Sequence, residues 1–439
     1  MDSSARILVM GLGKTGLSVV RFLLAQGLAC EVWDSRERPP GIEALPAGVI
    51  CEAGVPVPTA LQYATHVIVS PGLPVDTPEL VAARQRGVQI LGDLDLFAGA
   101  ARAPVLAITG ANGKSTVTTL LGLMAERSGR RVRTGGNLGT PMLDLLDDTA
   151  ELYVLELSSF QLERASQLRA LASTVLNISP DHMDRYASLE AYAAAKARVF
   201  AGDTVQVLNR DDPRVAAMAL PDHAQRWFSV AASQPGDYHL ARQDGASWLM
   251  SPEGPFMPVA ALQLQGRHNQ ANALAALALG DAAGLERAAM RAVLESFTGL
   301  DHRMQWVAQV DGVDYINDSK ATNIGACEAA LQGLEVPVVL IAGGDGKGAD
   351  FSELAAAVQH RVRALVLVGR DAPLLEAALG ALVPCVHAGS MQDAVARARA
   401  CAQPGDTVLL APACASLDQY RDYQQRGELF AAAVRALCA

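Results

Sequence analysis

A lysine and a hydroxyl set directly behind a glycine turn are the residue types that handle a triphosphate. Gly110-Ala111-Asn112-Gly113-Lys114-Ser115-Thr116 places them in that order. In such a loop the glycines let backbone N–H groups point inward, and the following helix N-terminus adds partial positive charge. Lys114 can then reach the outer phosphates, and Ser115 can ligate Mg²⁺. The spacing departs from the general P-loop, because the position five before the Gly113-Lys114 pair is Ile108. A plain turn before an ordinary helix would use the same glycines. The apolar run Val105–Ile108 before the turn and the helix pattern Val117–Met124 after it favour the nucleotide site.

Other residues invite chemistry of their own. Gly11-x-Gly13-x-x-Gly16 follows the strand-like run Ile7–Met10, and Asp34 ends the next such run. That is the dinucleotide fingerprint, acid included. Its physics is less selective than its pattern, since a glycine turn and a helix start hold any diphosphate. UDP or a UDP-sugar would satisfy the same groups. Alone, this unit favours NAD; a second phosphate site at Lys114 argues against a simple dehydrogenase. Ser70-Pro71-Gly72 reads as a β-turn. Glu156 sits in the apolar run Tyr153–Leu157, where a carboxylate is costly unless paired or metal-bound. It stands where a Walker-B acid would hold Mg²⁺. His182 follows the run Thr174–Ile178, at a strand end suited to a cleft, although a lone histidine is more often structural. Lys196, among alanines in the helix pattern Leu189–Phe200, reads from its neighbours as a solvated lysine.

These residues need elements to hold them. Short apolar runs alternate with helix patterns over most of the 439 residues, which implies α/β units with parallel sheets. The length suggests about two to four domains. Gly135-Gly136-Asn137-Leu138-Gly139 is a second flexible turn. The stretch Gln225–Leu264 has β character, with Asp244-Gly245 as a hairpin turn, and Asp311-Gly312 tips another hairpin in Trp306–Ile316. Asn317-Asp318-Ser319-Lys320-Ala321-Thr322-Asn323 is a dense polar cluster ahead of a helix. The formal charge of −10 argues against a nucleic-acid surface. No apolar stretch reaches the ~20 residues of a membrane helix, and no signal peptide is apparent, so a cytoplasmic protein is expected. The seven scattered cysteines lack metal spacing and read as reduced, mostly buried thiols.

Six motifs occur in a fixed order: Thr109-Gly110-x-Asn112-Gly113-Lys114-Ser115-Thr116, Leu155-Glu156-Leu157-Ser158-Ser159-Phe160-Gln161-Leu162, Ser179-Pro180-Asp181-His182-x-Asp184-Arg185-Tyr186, His268-Asn269-x-x-Asn272, His302-Arg303 and Asn317 to Asn323. Together they resemble the Mur ligase family of bacterial cell-wall synthesis, over essentially the whole chain. The phosphate loop is common to that family and to folylpolyglutamate synthetase. Ser158-Ser159-Phe160-Gln161, Asp318 to Asn323 and Ala411-Pro412-Ala413-Cys414-Ala415-Ser416-Leu417-Asp418 are more specific. They point to the branch that adds D-glutamate to UDP-N-acetylmuramoyl-L-alanine through an acyl phosphate.

The resemblance implies three α/β domains. Residues 1–92 form a Rossmann-like domain for the UDP-substrate, and 93–298 a P-loop ATPase-like parallel sheet with a small β part. Residues 299–439 form a Rossmann-like domain that binds the amino acid and closes on ATP. It implies ATP, two Mg²⁺ ions and a carbamylated Lys196, reversing the solvated reading. Lys114, His182, Lys196, Arg303 and Lys320 are then catalytic. ATP is held by Gly110, Asn112, Gly113, Lys114, Ser115, Thr116, Asn272, Arg303 and Asp318. The metals fall to Ser115, Glu156, His182 and Lys196; nitrogen is an unusual Mg²⁺ ligand, so the role of His182 rests on the family. The UDP-sugar is expected at Leu12, Lys14, Thr15, Ser35, Arg36, Ser70 and Gly72, with Asn137, Ser158, Gln161 and His182 nearer the reacting end. D-Glutamate is expected at Thr322, Lys347, Ser416 and Tyr423, the last through its backbone because the family often has Phe there. His182 and Lys196 stand one residue closer than the family spacing, whereas Tyr192-x-x-x-Lys196 fits. A monomer is expected, with no nucleic-acid partner. The competing expectations are a sibling ligase with another amino acid, an NAD-dependent oxidoreductase, and an ATP-gated scaffold without catalysis.

Overall fold

Runs of apolar residues too short for helices and buried on both faces become parallel strands, and each group of them organises one unit of the chain. The computed structural model describes residues 4–165, 168–264, 266–334 and 336–438. The first unit holds β1 (Ile7–Met10), β2 (Cys30–Asp34), β3 (Cys51–Ala53), β4 (His66–Val69) and β5 (Gln89–Leu91), all parallel in the order 3-2-1-4-5. Strand order reverses between β1 and β4, so the glycine turn after β1 and Ser70 after β4 meet at one crevice.

The second unit is a nine-stranded sheet. Its parallel part contains β6 (Val105–Thr109), β7 (Val132–Gly136), β8 (Leu152–Glu156), β9 (Ala172–Val175), β10 (Val205–Asn209) and β11 (Gln225–Ser229). A meander follows, with β12 (Tyr238–Gln243), β13 (Ala246–Ser251) and β14 (Gly254–Pro258). Strand β6 lies between β8 and β9 and is buried throughout. The run read as a strand over Thr174–Ile178 ends early, at Val175. Beyond it Asn177 serves the phosphate loop instead of a ladder: Ala111 N donates to Asn177 O at 2.9 Å and Asn112 N to Asn177 Oδ1 at 2.8 Å.

The third unit orders β15 (Gln305–Val310), β16 (Val313–Asn317), β17 (Val338–Gly343), β18 (Val362–Val368), β19 (Cys385–His387) and β20 (Thr407–Leu410) as 15-16-20-17-18-19. Only the β15–β16 hairpin is antiparallel. Both Asp-Gly hairpin turns adopt the left-handed backbone such turns require, with φ of 51° and 78° at Asp244 and Gly245 and 53° and 76° at Asp311 and Gly312.

The cores divide unequally. One apolar cluster runs from Val9 and Leu23 of the first unit through Leu94 and Phe97 to Leu155 of the second. Each such side chain contributes about 2 kcal/mol through burial. Guanidiniums reinforce this joint, since Arg164 and Arg185 of the second unit both donate to the Leu73 carbonyl of the first. The two clusters of the third unit draw only on its own described residues. The expectation of mostly buried thiols is corrected: all seven cysteines are free, but only Cys327 and Cys414 are buried. Cys51 and Cys385 fall on the edge strands β3 and β19, which leaves them half-covered. Among the described residues no helix is long and apolar enough to cross a membrane.

Candidate active site

The phosphate loop leaves β6 through Gly110 (φ 146°) and enters the helix Lys114–Arg127 through Gly113 (φ 84°). A Cβ on Gly113 would lie 2.3 Å from Asn272 Oδ1, so the glycine answers both the backbone and the approach of Asn272. Lys114 Nζ folds over its own loop, donating to Gly110 O at 2.9 Å and Ala111 O at 2.8 Å. Burial lowers the pKa of this ammonium, while Glu156 and Asp181 oppose the shift.

Glu156 ends β8 one strand away. Ser115 Oγ donates to its Oε2 at 2.5 Å and Asn137 Nδ2 to its Oε1 at 2.7 Å. Burial pushes this carboxyl up, but Lys114, the two hydrogen bonds and Lys320 together hold it below the usual carboxylate value. From the third unit, Arg303 Nη2 reaches Ser115 Oγ at 2.7 Å. A cavity of about 340 Å³ opens between the units and is lined by Asn112, Gly113, Thr116, Asn272, Arg303, Asp318 and Lys320. Seven of the expected nucleotide and catalytic positions therefore share one wall. Burial raises the Asp318 carboxyl to about 7, against Arg303 and the Met304 N–H that it accepts at 3.3 Å. Burial lowers the Lys320 ammonium to about 8, helped by Arg303 and Lys114, and its Nζ lies 4.6 Å from the Tyr423 ring centre.

Lys196 is not solvated: it is 2% exposed. Its Nζ lies 3.4 Å from Thr109 Oγ1 and 4.6 Å from the Tyr192 ring centre. Burial, then Lys114, push its pKa well below the ordinary lysine value, which favours the nucleophilic neutral form. Ala193 and Ala195 are buried beside it, whereas Ala191 and Ala194 face solvent. His182 adopts a left-handed φ of 59° and meets Phe160 edge-on at 4.8 Å. Burial lowers its imidazole to about 4, so the ring is neutral near pH 7.

Of the positions expected to hold the amino acid, Thr322 and Lys347 border one narrow cleft with His182. Lys347 Nζ pairs there with Asp181. Ser416 is 3% exposed and follows Ala415, which bridges to Asp345 of the Lys347 loop. Tyr423 starts the helix Tyr423–Arg435, and its carbonyl accepts Ser319 Oγ at 2.8 Å.

In the first unit a Cβ on Gly16 would lie 1.9 Å from Gly11 O, so only glycine lets this helix approach its turn. Ser70 Oγ closes the crevice by donating to Gly11 O at 2.9 Å. Lys14, Ser35, Arg36 and Gly72 are exposed around it, with Thr15 half-buried. The side chain of Leu12 is fully buried, so only its main chain is available to a ligand. Asp34 differs from a ribose-binding acid. It is 2% exposed, accepts Leu12 N at 2.7 Å, and is gripped by both arms of Arg36 at 2.8 and 2.7 Å. Burial would raise it, but these bonds hold it at about 2. Ser158 and Gln161 form a capping box, and Gln161 Nε2 donates to Asp93 at 2.9 Å. Gln161 is 4% exposed, so its hydrogen bonds serve the fold.

Among the described residues no three acidic, histidine or cysteine side chains form a ready metal cage. The Ser115–Glu156 pair supplies two hard oxygens, which suits one Mg²⁺ completed by phosphate oxygens. Four residues escaped the reading of side-chain types: Asp181, Asn177, Asn323 and Arg426. Arg426 is 1% exposed and binds Ser319 O at 2.8 Å and Cys414 O at 3.1 Å, pinning the Lys320 segment to the Cys414 loop. Its spacing with buried Phe430 and Val434, on one helix face, is the signal that would have found it.

Three family models match in chain order: the Mur ligase MurD-like N-terminal domain over residues 5–92, the Mur ligase middle domain over 108–280, and the Mur ligase glutamate ligase domain over 302–414. The UDP-N-acetylmuramoylalanine--D-glutamate ligase of Methylococcus capsulatus is 58% identical, covering 100% of this chain and 96% of its own. The ligase of the same name from Pseudomonas fluorescens Pf-5 is 50% identical, covering 98% of each. Among solved structures, UDP-N-acetylmuramate-alanine ligase MurC of Thermotoga maritima aligns with a TM-score of 0.60 at 20% identity, over 98% of this chain and 99% of that one. MurF of Acinetobacter baumannii gives 0.59 at 19%, over 99% and 92%. At that identity the two structures speak for the three-unit fold, while the full-length relatives speak for kinship: the chain belongs to the Mur ligase family.

Proposed function

We propose that this chain uses ATP to join the amine of D-glutamate to the terminal carboxylate of UDP-N-acetylmuramoyl-L-alanine, a step of peptidoglycan precursor synthesis. A carboxylate oxygen attacks the γ-phosphorus as its bond to the ADP oxygen breaks, giving an acyl phosphate. The amine then adds to the acyl carbon, and the tetrahedral intermediate expels phosphate to leave an amide. The observation that carries this reading is the reach of Arg303 across to Ser115, itself bonded to Glu156. It sets cations from two units around one phosphate loop, as transfer between two anions demands. The sequestered Asp34 favours a UDP-carrier over NAD in the first crevice.

In this reading Lys114 leaves its loop carbonyls to meet the outer phosphates. Arg303 stabilises the transferring phosphoryl charge, a kind of contact whose removal costs about 3 kcal/mol. Ser115 and Glu156 would hold one Mg²⁺, and His182 with Lys196 a second; bound there, such ions would neutralise phosphate charge. Neutral Lys196 adds to CO₂ through Nζ and loses a proton, becoming a carbamate with two oxygen acceptors. Asn272 and Asp318 take the base and ribose of ATP. The UDP-sugar follows Lys14, Thr15, Ser35, Arg36, Ser70, Gly72 and the Leu12 main chain, with Asn137 nearer the reacting end. D-Glutamate meets Thr322, Lys347, Ser416 and the Tyr423 backbone, its carboxylate competing with Asp181 for Lys347. The protein works as a cytoplasmic monomer, in three domains divided near residues 92 and 298.

Phosphate release from ATP, with UDP-N-acetylmuramoyl-L-alanine and one amino acid at a time, tests the function. D-Glutamate alone should drive it; release with L-alanine or a diamino acid instead would move the chain to a sibling ligase. For the carbamate, Lys196→Ala should be nearly inactive and partly restored by acetate. Absence of both rescue and bicarbonate-dependent mass on Lys196 would remove that group from the scheme.

A further inference from the structure

The helix Ile324–Gln332 of the third unit begins against the phosphate loop. Asn323 caps it, accepting Ala326 N at 2.9 Å, and also donates to Asn112 Oδ1 and Asp181 Oδ2, both at 3.3 Å. Asn112 in turn donates to Ser179 Oγ at 3.4 Å. Two residues after the cap stands Gly325. Its φ is not in the left-handed region, so the helix does not ask for glycine there, and alanine would suit the helix better. The reason lies across the seam. A Cβ on Gly325 would come 2.8 Å from Ser179 Oγ and 3.0 Å from Ser179 Cβ. Ser179 has little room to withdraw, because Pro180, Asp181 and His182 follow it directly and Asp181 is tied to Lys347.

We infer that Gly325 sets how closely the third unit approaches the phosphate loop, and that Asn323 fixes its register there. Both are positioning residues that touch no reacting atom. The inference rests on the ligase reading, in which Arg303, Asp318 and Thr322 must arrive with Gly325. A side chain at position 325 holds the units apart, and misplacement of reacting groups by about 1 Å costs about 100-fold in rate.

Gly325→Ala should lower kcat/KM for D-glutamate and for ATP by about 100-fold, with affinity for the UDP-carrier unchanged. Its scattering radius with ATP bound should exceed that of the wild type. Adding Ser179→Gly should restore both the rate and the radius, and adding Ser179→Ala, which keeps the Cβ, should restore less. Wild-type rate and radius in Gly325→Ala would overturn the inference, as would a double variant no better than the single one. A lower thermal midpoint for Gly325→Ala would also overturn it, by placing the glycine's reason inside the fold. The radius does not depend on which amino acid is the acceptor, so the seam is tested even where the proposed substrate fails.

Discussion

Two glycine turns in this molecule follow a buried parallel strand, start a helix and face a buried acid, yet their acids end in opposite states. Asp34, beside the first turn, is held at about 2 by a main-chain N–H and the Arg36 fork of its own unit. Asp318, across the cavity from the second turn, is raised to about 7 by burial. At the first site the acid is cancelled locally, and what remains is a crevice lined by main chain, hydroxyls and the Lys14 ammonium. At the second, Lys114 and Lys320 face Glu156, Arg303 reaches the Ser115 hydroxyl beside it, and burial, then Arg303 and Lys114, depress Lys320. One backbone motif thus gives a holding site or a reacting site. The difference lies in whether a second unit brings unbalanced charge to it.

Removing the charge should break the second site and spare the first. Lys114→Ala is expected to lower ATP-driven phosphate release by about 10³-fold, while calorimetry finds UDP-carrier affinity unchanged. Equal loss at both sites would erase the distinction. The strained acid gives the next effect. Between the ordinary carboxylate range and about 7, folded Asp318 keeps a proton that the unfolded chain has released, so stability falls as pH rises through that window. Asparagine has no such window. The stability gained by Asp318→Asn should be about 2 kcal/mol larger near about pH 8.5 than near about pH 5.5, read from denaturation midpoints. A constant difference would mean that Asp318 is not strained. The smallest effect belongs to the self-neutralised site. Arg36→Met should raise the KM for the UDP-carrier by about 10-fold and leave that for ATP alone.

Much of this was legible from residue order. Gly110 to Ser115 and the Asp-Gly hairpin tips are local patterns, and local backbone demands fix them. What escaped depends on distant packing. Lys196 reads as solvated because alanines on both sides say nothing about Tyr192 and Thr109 closing over it; family resemblance alone singled it out. Asn177 looked like the end of a strand because its apolar neighbours continue the pattern. Its amide is taken by a loop 65 residues earlier. Asp34 matched a ribose-binding acid in every feature that spacing can express. Its burial, the Leu12 N–H and the direction of the Arg36 side chain distinguish the two.

The unequal cores have a consequence for how the molecule comes apart. Hydrocarbon contact and doubly held Leu73 join the first two units, whereas the third meets the second through the Asn112–Asn323 amides, the Arg303–Ser115 bond and the Lys347–Asp181 pair. Parting apolar surfaces exposes hydrocarbon at about 25 cal/mol per Å², whereas parted polar groups are taken up by water. The joints should therefore part in order, the polar one first, making the first two units an anvil and the third a hammer on the short handle between Phe297 and Arg303.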